Sequence, residues 1–257
     1  MEPDFLVVGA QRAGTTSLFR TLSEHPDIAR PTASKGIGYF DLNHHRGRRW
    51  YLGHFPLRLG RAGQSTFESS GYYAFHPLAA ARIAEDLPDV KVILVVRNPV
   101  DRAHSAHRHE LARGFETLQF EEALEAEESR LDGEVERILE DPRYESFSHR
   151  HHAYLGRGRY AEQVERLVRE LGRERVHVVD ADRMFVDPEA ELTGLFAWLG
   201  LAGWLPDGFR RENARPRAAM DVDLRARLER YFEPSDRALA AHLGRPPSWR
   251  ADDRGDA

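Results

Sequence analysis

The chain contains no cysteine, and only two of its 37 basic residues are lysine. Without cysteine it can form neither disulfides nor zinc–thiolate sites, and no thiol can act as a nucleophile. Its net charge of −5 argues against a general nucleic-acid binder, which carries a basic excess. The first apolar run, Phe5 to Val8, is far too short for a signal peptide or a membrane span. We therefore expect a cytoplasmic protein with no membrane span and no nucleic-acid partner.

Length and patterning predict the fold class. The 257 residues suit one α/β domain with a substantial core. Short β-rich runs alternate with helical periodicity, which is typical of a central parallel sheet flanked by helices. The predicted strands are Phe5–Val8, Ile28–Ala29, Ser65–Ser69, Val90–Val96 and Arg175–Val179. We expect a single domain over residues 1–250 and a charged, disordered tail over 251–257.

A phosphate-binding loop is predicted directly after the first strand, over Gly9–Leu18. The order is strand, Gly-x4-Gly, two hydroxyl residues and then a helix. Glycines let the backbone wrap an anion, while the helix N-terminus supplies amide donors and a positive dipole. The alternative is a plain β-to-α turn that holds two glycines. The loop predicts a P-loop-type domain, and the residues expected to hold the anion are Arg12, Ala13, Gly14, Thr15, Thr16 and Ser17.

The details of this loop argue against a magnesium-bound triphosphate. Thr15 stands where a Walker A loop carries the lysine that reaches the β- and γ-phosphates, and the nearest cation is Arg12. The fourth strand ends in Arg97, where a nucleoside triphosphatase often offers an aspartate for magnesium. A P-loop kinase is therefore the rival enzyme class, and these differences count against it.

A second anion site is predicted where the fourth strand ends. Arg97 can clamp a phosphate as a fork, and Ser105 lies two turns into the next helix, which Asn98 and Pro99 begin. A surface salt bridge and an exposed serine are the alternative reading. Two phosphate sites at the carboxyl edge of one sheet suit a nucleotide phosphorylated at both its 3′ and 5′ ends.

With these motifs the chain resembles the sulfotransferases that use 3′-phosphoadenosine 5′-phosphosulfate (PAPS), especially the heparan sulfate branch and its bacterial relatives. Gly9–Leu18 resembles the 5′-phosphosulfate loop of that family, and Val96–Ser105 resembles its 3′-phosphate motif. The segment Asn213–Met220 resembles the closing segment that folds over the nucleotide in relatives, which makes Arg215 a candidate cofactor contact. Further similar stretches are Trp50–Pro56, Tyr72–Pro77 and Gly158–Gln163.

The resemblance implies an activity. PAPS would be the co-substrate, no metal would be needed, and the sulfuryl group would pass to a hydroxyl, less often an amine, of a small-molecule or glycan acceptor. Adenosine 3′,5′-bisphosphate would be released. The acceptor and the oligomeric state do not follow from the sequence.

Two departures from the family pattern concern catalysis. Relatives usually carry lysine at the Arg12 position, where it donates to the phosphosulfate, and arginine gives up a proton far less readily. The stretch Ser34–Asp41 aligns with a family segment whose glutamate is the presumed general base, but Gly36 occupies that position here and Gly38 replaces a histidine. A catalytically inactive nucleotide-binding module is therefore a further alternative.

Three side chains are candidates for the missing base. Glu68 is first, because its strand should end at the same sheet edge as Arg12 and Arg97. Asp41 and His76 follow, each with a structural role as the alternative. An acceptor that is already acidic, or an amine, would need no protein base.

Overall fold

The computed structural model describes residues 1–30, 34–57, 63–206, 208 and 220–251. Within these ranges five parallel strands form one sheet in the order β2-β3-β1-β4-β5. Every predicted strand is confirmed to within one residue at each end. The inner strands β1 and β4 are buried almost throughout, because helices cover both faces of the sheet. The strands are β1 (Phe5–Gly9), β2 (Ile28–Ala29), β3 (Ser65–Ser69), β4 (Lys91–Val96) and β5 (Val176–Asp180).

Helices connect the strands and flank the sheet. Ahead of β4 the α-helices are α1 (Thr15–Glu24), α2 (Arg48–Leu52) and α3 (Ala79–Asp86), and a short π-helix spans Tyr39–Asn43. Between β4 and β5 come α4 (Pro99–Ala112), α5 (Phe120–Glu125), α6 (Glu127–Leu131), α7 (Glu134–Glu140), α8 (Phe147–His151) and α9 (Tyr160–Leu171). After β5 come α10 (Ala181–Val186), α11 (Pro188–Leu199) and α12 (Val222–Leu243).

Local sequence signals explain where α4 begins. The Asn98 side chain accepts hydrogen bonds from the amides of Val100 at 3.0 Å and Asp101 at 3.3 Å, and Pro99 takes the first helical position. Proline costs nothing there, because the first amides of a helix have no intrahelical partner. This cap fixes the path of the chain as it leaves β4, and with it the position of the second anion motif.

The longest described helix, α12, is one that the sequence patterning did not predict. Pro234 lies inside it, and a proline normally interrupts helical hydrogen bonding. The helix continues through the proline because one face is buried: Leu224, Leu228 and Phe232 pack with Val100 on α4. Tertiary burial therefore outweighs the local penalty.

Two predictions fall on residues outside those described. Arg215 and most of the closing segment lie there, as does nearly all of the predicted tail, 252–257. The domain boundary at residue 250 stays a prediction. Among the helices that the structure does describe, none combines the length and the apolar character needed to cross a membrane.

Candidate functional site

The loop between β1 and α1 has the geometry of an anion cradle. Gly14 immediately precedes α1 with φ of 104°, a left-handed conformation that side chains rarely adopt. A Cβ there would also lie 3.3 Å from the Phe185 ring. Ala13 and Ser17 are buried, and the first two amides of α1, those of Thr15 and Thr16, have no backbone acceptor among the described residues. The loop can therefore surround an anion with backbone donors.

The two predicted anion motifs meet in the folded chain. Arg12, from the loop, donates from its Nε to the Ser105 Oγ on α4 over 3.1 Å. Arg97, at the end of β4, donates to the Arg12 carbonyl at 3.5 Å, and its Nε lies 3.8 Å from an Asp182 carboxylate oxygen. Within the described residues this Nε has no hydrogen-bond acceptor. The orphaned donor and the cradle fit a ligand that carries two phosphate groups.

Lys35 contacts this loop from the segment after β2, although no role was predicted for it from the sequence. Its ammonium donates to the hydroxyls of Thr15 at 3.0 Å and Thr16 at 3.1 Å. Burial, together with the neighbouring Arg12 guanidinium, lowers the pKa of Lys35 to about 8. The signal in the sequence was its identity: it is one of two lysines in a chain that otherwise uses arginine.

A cavity of about 360 Å³ opens beside the loop. Its walls come from the loop, the end of β3, the π-helix and α8, together with flanking segments. Three arginines and one carboxylate are the charged side chains that line it, along with His151. The lining residues are Gln11, Gly36, Ile37, Gly38, Asp41, Leu42, Asn43, Ser69, Ser70, Gly71, Tyr72, Arg113, Arg150, His151 and Arg157.

Glu68 lies behind the cavity wall and does not line it. Its carboxylate is fully buried and accepts hydrogen bonds from the Ile37 amide at 2.8 Å and from the hydroxyls of Tyr73 at 2.7 Å and Tyr51 at 3.2 Å. Burial raises the pKa of Glu68 to about 7 against the opposing effect of these donors. The bond to Ile37 ties β3 to the segment that forms one wall of the cavity.

Of the other two candidate bases, Asp41 lines the cavity and His76 does not. Asp41 is on the π-helix and lines the cavity, and burial raises its pKa to about 6. Its Oδ1 accepts from the Leu42 amide at 2.7 Å. His76 is buried away from the cavity, its Nδ1 accepts from the Leu78 amide at 3.3 Å, and burial lowers its pKa to about 3. Of the three candidate bases, only Asp41 faces the space next to the loop.

The backbone at Gly36 explains why the usual glutamate cannot simply be restored. A Cβ at this position would lie 2.7 Å from the Ser69 carbonyl oxygen and 2.9 Å from the Ser70 hydroxyl. Real Cβ atoms essentially never approach other heavy atoms below 3.0 Å, so any side chain at residue 36 would force a backbone shift. Glycine is therefore a packing requirement of this conformation.

No three histidine, aspartate or glutamate side chains are grouped as a metal site within the part of the chain that the structure describes. The fold itself defines the broader class, a P-loop-type α/β protein. Residues 2–205 match the family model of the sulfotransferase domain. The chain belongs to the sulfotransferase family.

Several known proteins are similar to it. A sulfotransferase from Alicyclobacillus acidocaldarius shares 32% identity and superposes with a TM-score of 0.75 over 95% of this chain and 97% of its own. The bifunctional heparan sulfate N-deacetylase/N-sulfotransferase 1 of Caenorhabditis elegans is 29% identical over 77% of this chain and 22% of its own length. The human enzyme 2 of that name is 37% identical over 44% of this chain and 13% of its own. The chain thus spans about a fifth or less of these two bifunctional enzymes.

Proposed function

We propose that the chain transfers a sulfuryl group from PAPS to an anionic acceptor, a glycan or a small molecule, and releases adenosine 3′,5′-bisphosphate. One observation carries the proposal: the contact between Arg12 and Ser105 joins the two anion motifs at one sheet edge, next to an open cavity. A ligand with phosphates at both ends of one nucleoside matches two such motifs, whereas a triphosphate would need only the loop.

The chemistry follows from this arrangement. A lone pair of the acceptor oxygen or nitrogen forms the new bond to sulfur, while the bond from sulfur to the bridging oxygen breaks. That oxygen keeps the electron pair and leaves on the 5′-phosphate of the bisphosphate. Arg12 and the loop amides would stabilise the charge that develops there, and fixed donors of this kind usually make the largest contribution to catalysis.

For the acceptor proton we propose Asp41 as the base, with Glu68 as a positioning residue. Asp41 lines the cavity that the acceptor would enter, and a pKa of about 6 leaves it largely ionised at neutral pH. The carboxylate of Glu68 is enclosed by three donors and reaches the cavity only through the Ile37 amide that it holds. Glycine at position 36, where relatives carry the presumed base, therefore does not imply that the chain is inactive.

The charges in the cavity support an anionic acceptor. Arg113, Arg150 and Arg157 line it with one carboxylate, Asp41. Arg113 and Arg150 each also lie 3.9 Å from a carboxylate outside the lining, Glu110 and Glu145 respectively. The Arg157 guanidinium lies 4.8 Å from the centre of the Tyr72 ring and donates to the His149 carbonyl at 2.9 Å, and it has no salt bridge to a carboxylate of the described residues. Relatives named as heparan sulfate N-sulfotransferases favour a glycan with an amine as one form of such an acceptor.

Thermal shift with three ligands tests the nucleotide. Adenosine 3′,5′-bisphosphate should stabilise the protein strongly without added metal, because a ligand that binds only the native state raises its stability. ADP and magnesium–ATP should have a much smaller effect. Equal stabilisation by magnesium–ATP would contradict the proposal and favour a kinase.

An acceptor screen with isotopically labelled PAPS, read by mass spectrometry, tests the transfer. Anionic glycans and small acids form one set, and neutral analogues of the same size form the matched control. Labelled product should come from the anionic set. Tight bisphosphate binding with no labelled product from any acceptor would favour an inactive nucleotide-binding module.

A further inference from the structure

The ammonium of Lys35 is held at the mouth of the phosphate loop. It contacts the two hydroxyls that open α1, at 3.0 and 3.1 Å. The backbone of the same residue is fixed to the sheet, because its carbonyl accepts from the Ser69 amide at the end of β3 over 2.8 Å. Sheet pairing therefore delivers this side chain to the loop from a segment that lies 20 residues away along the chain.

Among the described residues, the ammonium of Lys35 has a cation nearby and no negative partner. In the described part of the chain no carboxylate forms an ion pair with its ammonium, which contacts two hydroxyls, and the nearby charge that most affects it is the Arg12 guanidinium. Two cations beside a partly buried loop repel each other, and this cost is relieved when an anion lies between them. The loop amides already favour such an anion.

We propose that Lys35 binds the 5′-phosphosulfate end of PAPS and so supplies, from the segment after β2, the lysine that the loop lacks at Arg12. The inference rests on the proposed function. An ammonium is a compact point charge suited to a phosphate oxygen, whereas the Nε of Arg12 already donates to Ser105.

The test compares two ligands that differ only in the 5′-phosphate: adenosine 3′,5′-bisphosphate and adenosine 3′-monophosphate. Lys35→Met, measured by calorimetry, should lose about tenfold or more of its affinity for the bisphosphate, the usual scale for a charge-assisted contact. Its affinity for the monophosphate should be unchanged. Lys35→Arg should keep most of the preference, because the positive charge is retained.

Lys91→Met is the matched control, since it removes the other lysine. Lys91 begins β4, and its ammonium donates to the Trp198 carbonyl, so neither affinity should change. A purely structural role for Lys35 would lower both affinities together and leave their ratio unchanged.

The pH dependence gives a second readout. The preference of the wild type for the bisphosphate should decline as pH rises above about 8, where the free Lys35 ammonium loses its proton. Lys35→Arg should keep its preference to higher pH, because a guanidinium stays charged.

The outcomes separate two failures. If the wild type prefers the bisphosphate and Lys35→Met keeps the same ratio, this inference is overturned and the proposed function stands. If the wild type binds neither ligand, the proposed function is wrong and the inference falls with it. Loss of the ratio in Lys35→Met alone, with Lys91→Met unchanged, supports the assignment.

Discussion

Replacing Glu68 by glutamine should change how the stability of the protein depends on pH. The carboxyl is fully buried, and its pKa is raised from 4.5 to about 7 mainly by burial. The folded state therefore holds this proton more tightly than the unfolded state does. As pH rises from 4.5 towards 7, unfolding becomes easier, because the unfolded chain ionises first. Glutamine has nearly the same shape and no charge to bury.

The size of the effect follows from the pKa. A rise from 4.5 to about 7, at about 1.4 kcal/mol for each tenfold change in proton affinity, corresponds to roughly 3 kcal/mol of unfolding free energy. Most of this falls between pH 5 and pH 8. The glutamine can be accommodated, since its oxygen can accept from the Ile37 amide while its NH₂ donates to the tyrosine hydroxyls.

Urea unfolding of both proteins across this pH range measures the difference directly. Groups remote from Glu68 titrate alike in the two proteins, so the difference between them reports Glu68 together with its coupling to the nearby Asp41. Tyr73→Phe provides a second variant: it removes a donor that lowers the pKa of Glu68, so the loss of stability should continue to higher pH. Parallel pH profiles for the wild type and Glu68→Gln would refute the assignment of a buried, proton-binding Glu68.

Three further predictions concern the site. Asp41→Asn should lower turnover by at least about 10²-fold, the usual scale for a general base, with bisphosphate affinity nearly unchanged. The wild-type rate should fall below about pH 6 as Asp41 takes up its proton. Normal turnover of Asp41→Asn would exclude Asp41 as the base. Arg97→Ala should lose about tenfold or more of the preference for the bisphosphate over AMP in calorimetry, and Ser105→Ala less; an unchanged preference would remove Arg97 from the 3′-phosphate site. Gly36→Ala should cost about 1–3 kcal/mol in urea unfolding, because its Cβ would lie 2.7 Å from the last carbonyl oxygen of β3. Gly194→Ala is the control, since nothing lies within 4 Å there; equal stability of the two variants would contradict the packing argument.

The sequence alone determined the five strands, the start of α4 and the anion motifs. Strands such as β4 are predictable because a continuous apolar run needs burial on both faces, and α4 because Asn98 and Pro99 form a helix start that needs no distant partner. The residues of each anion motif lie within one short stretch, so their grouping is visible before the chain folds. The match of residues 2–205 to the sulfotransferase domain confirms the family that these motifs indicated.

Tertiary structure decided which side chains share the site and which are buried behind it. Because β3 pairs with β1, the segment after β2 lies beside the phosphate loop. Lys35 therefore contacts the hydroxyls of Thr15 and Thr16, which are too far from it in the sequence for a local pattern to link them. The same pairing buries Glu68, since its side chain points into the tyrosine cluster, whereas Asp41 faces the cavity. Strand order and the alternation of side chains are properties of the whole sheet, so no local pattern could have separated these two carboxylates.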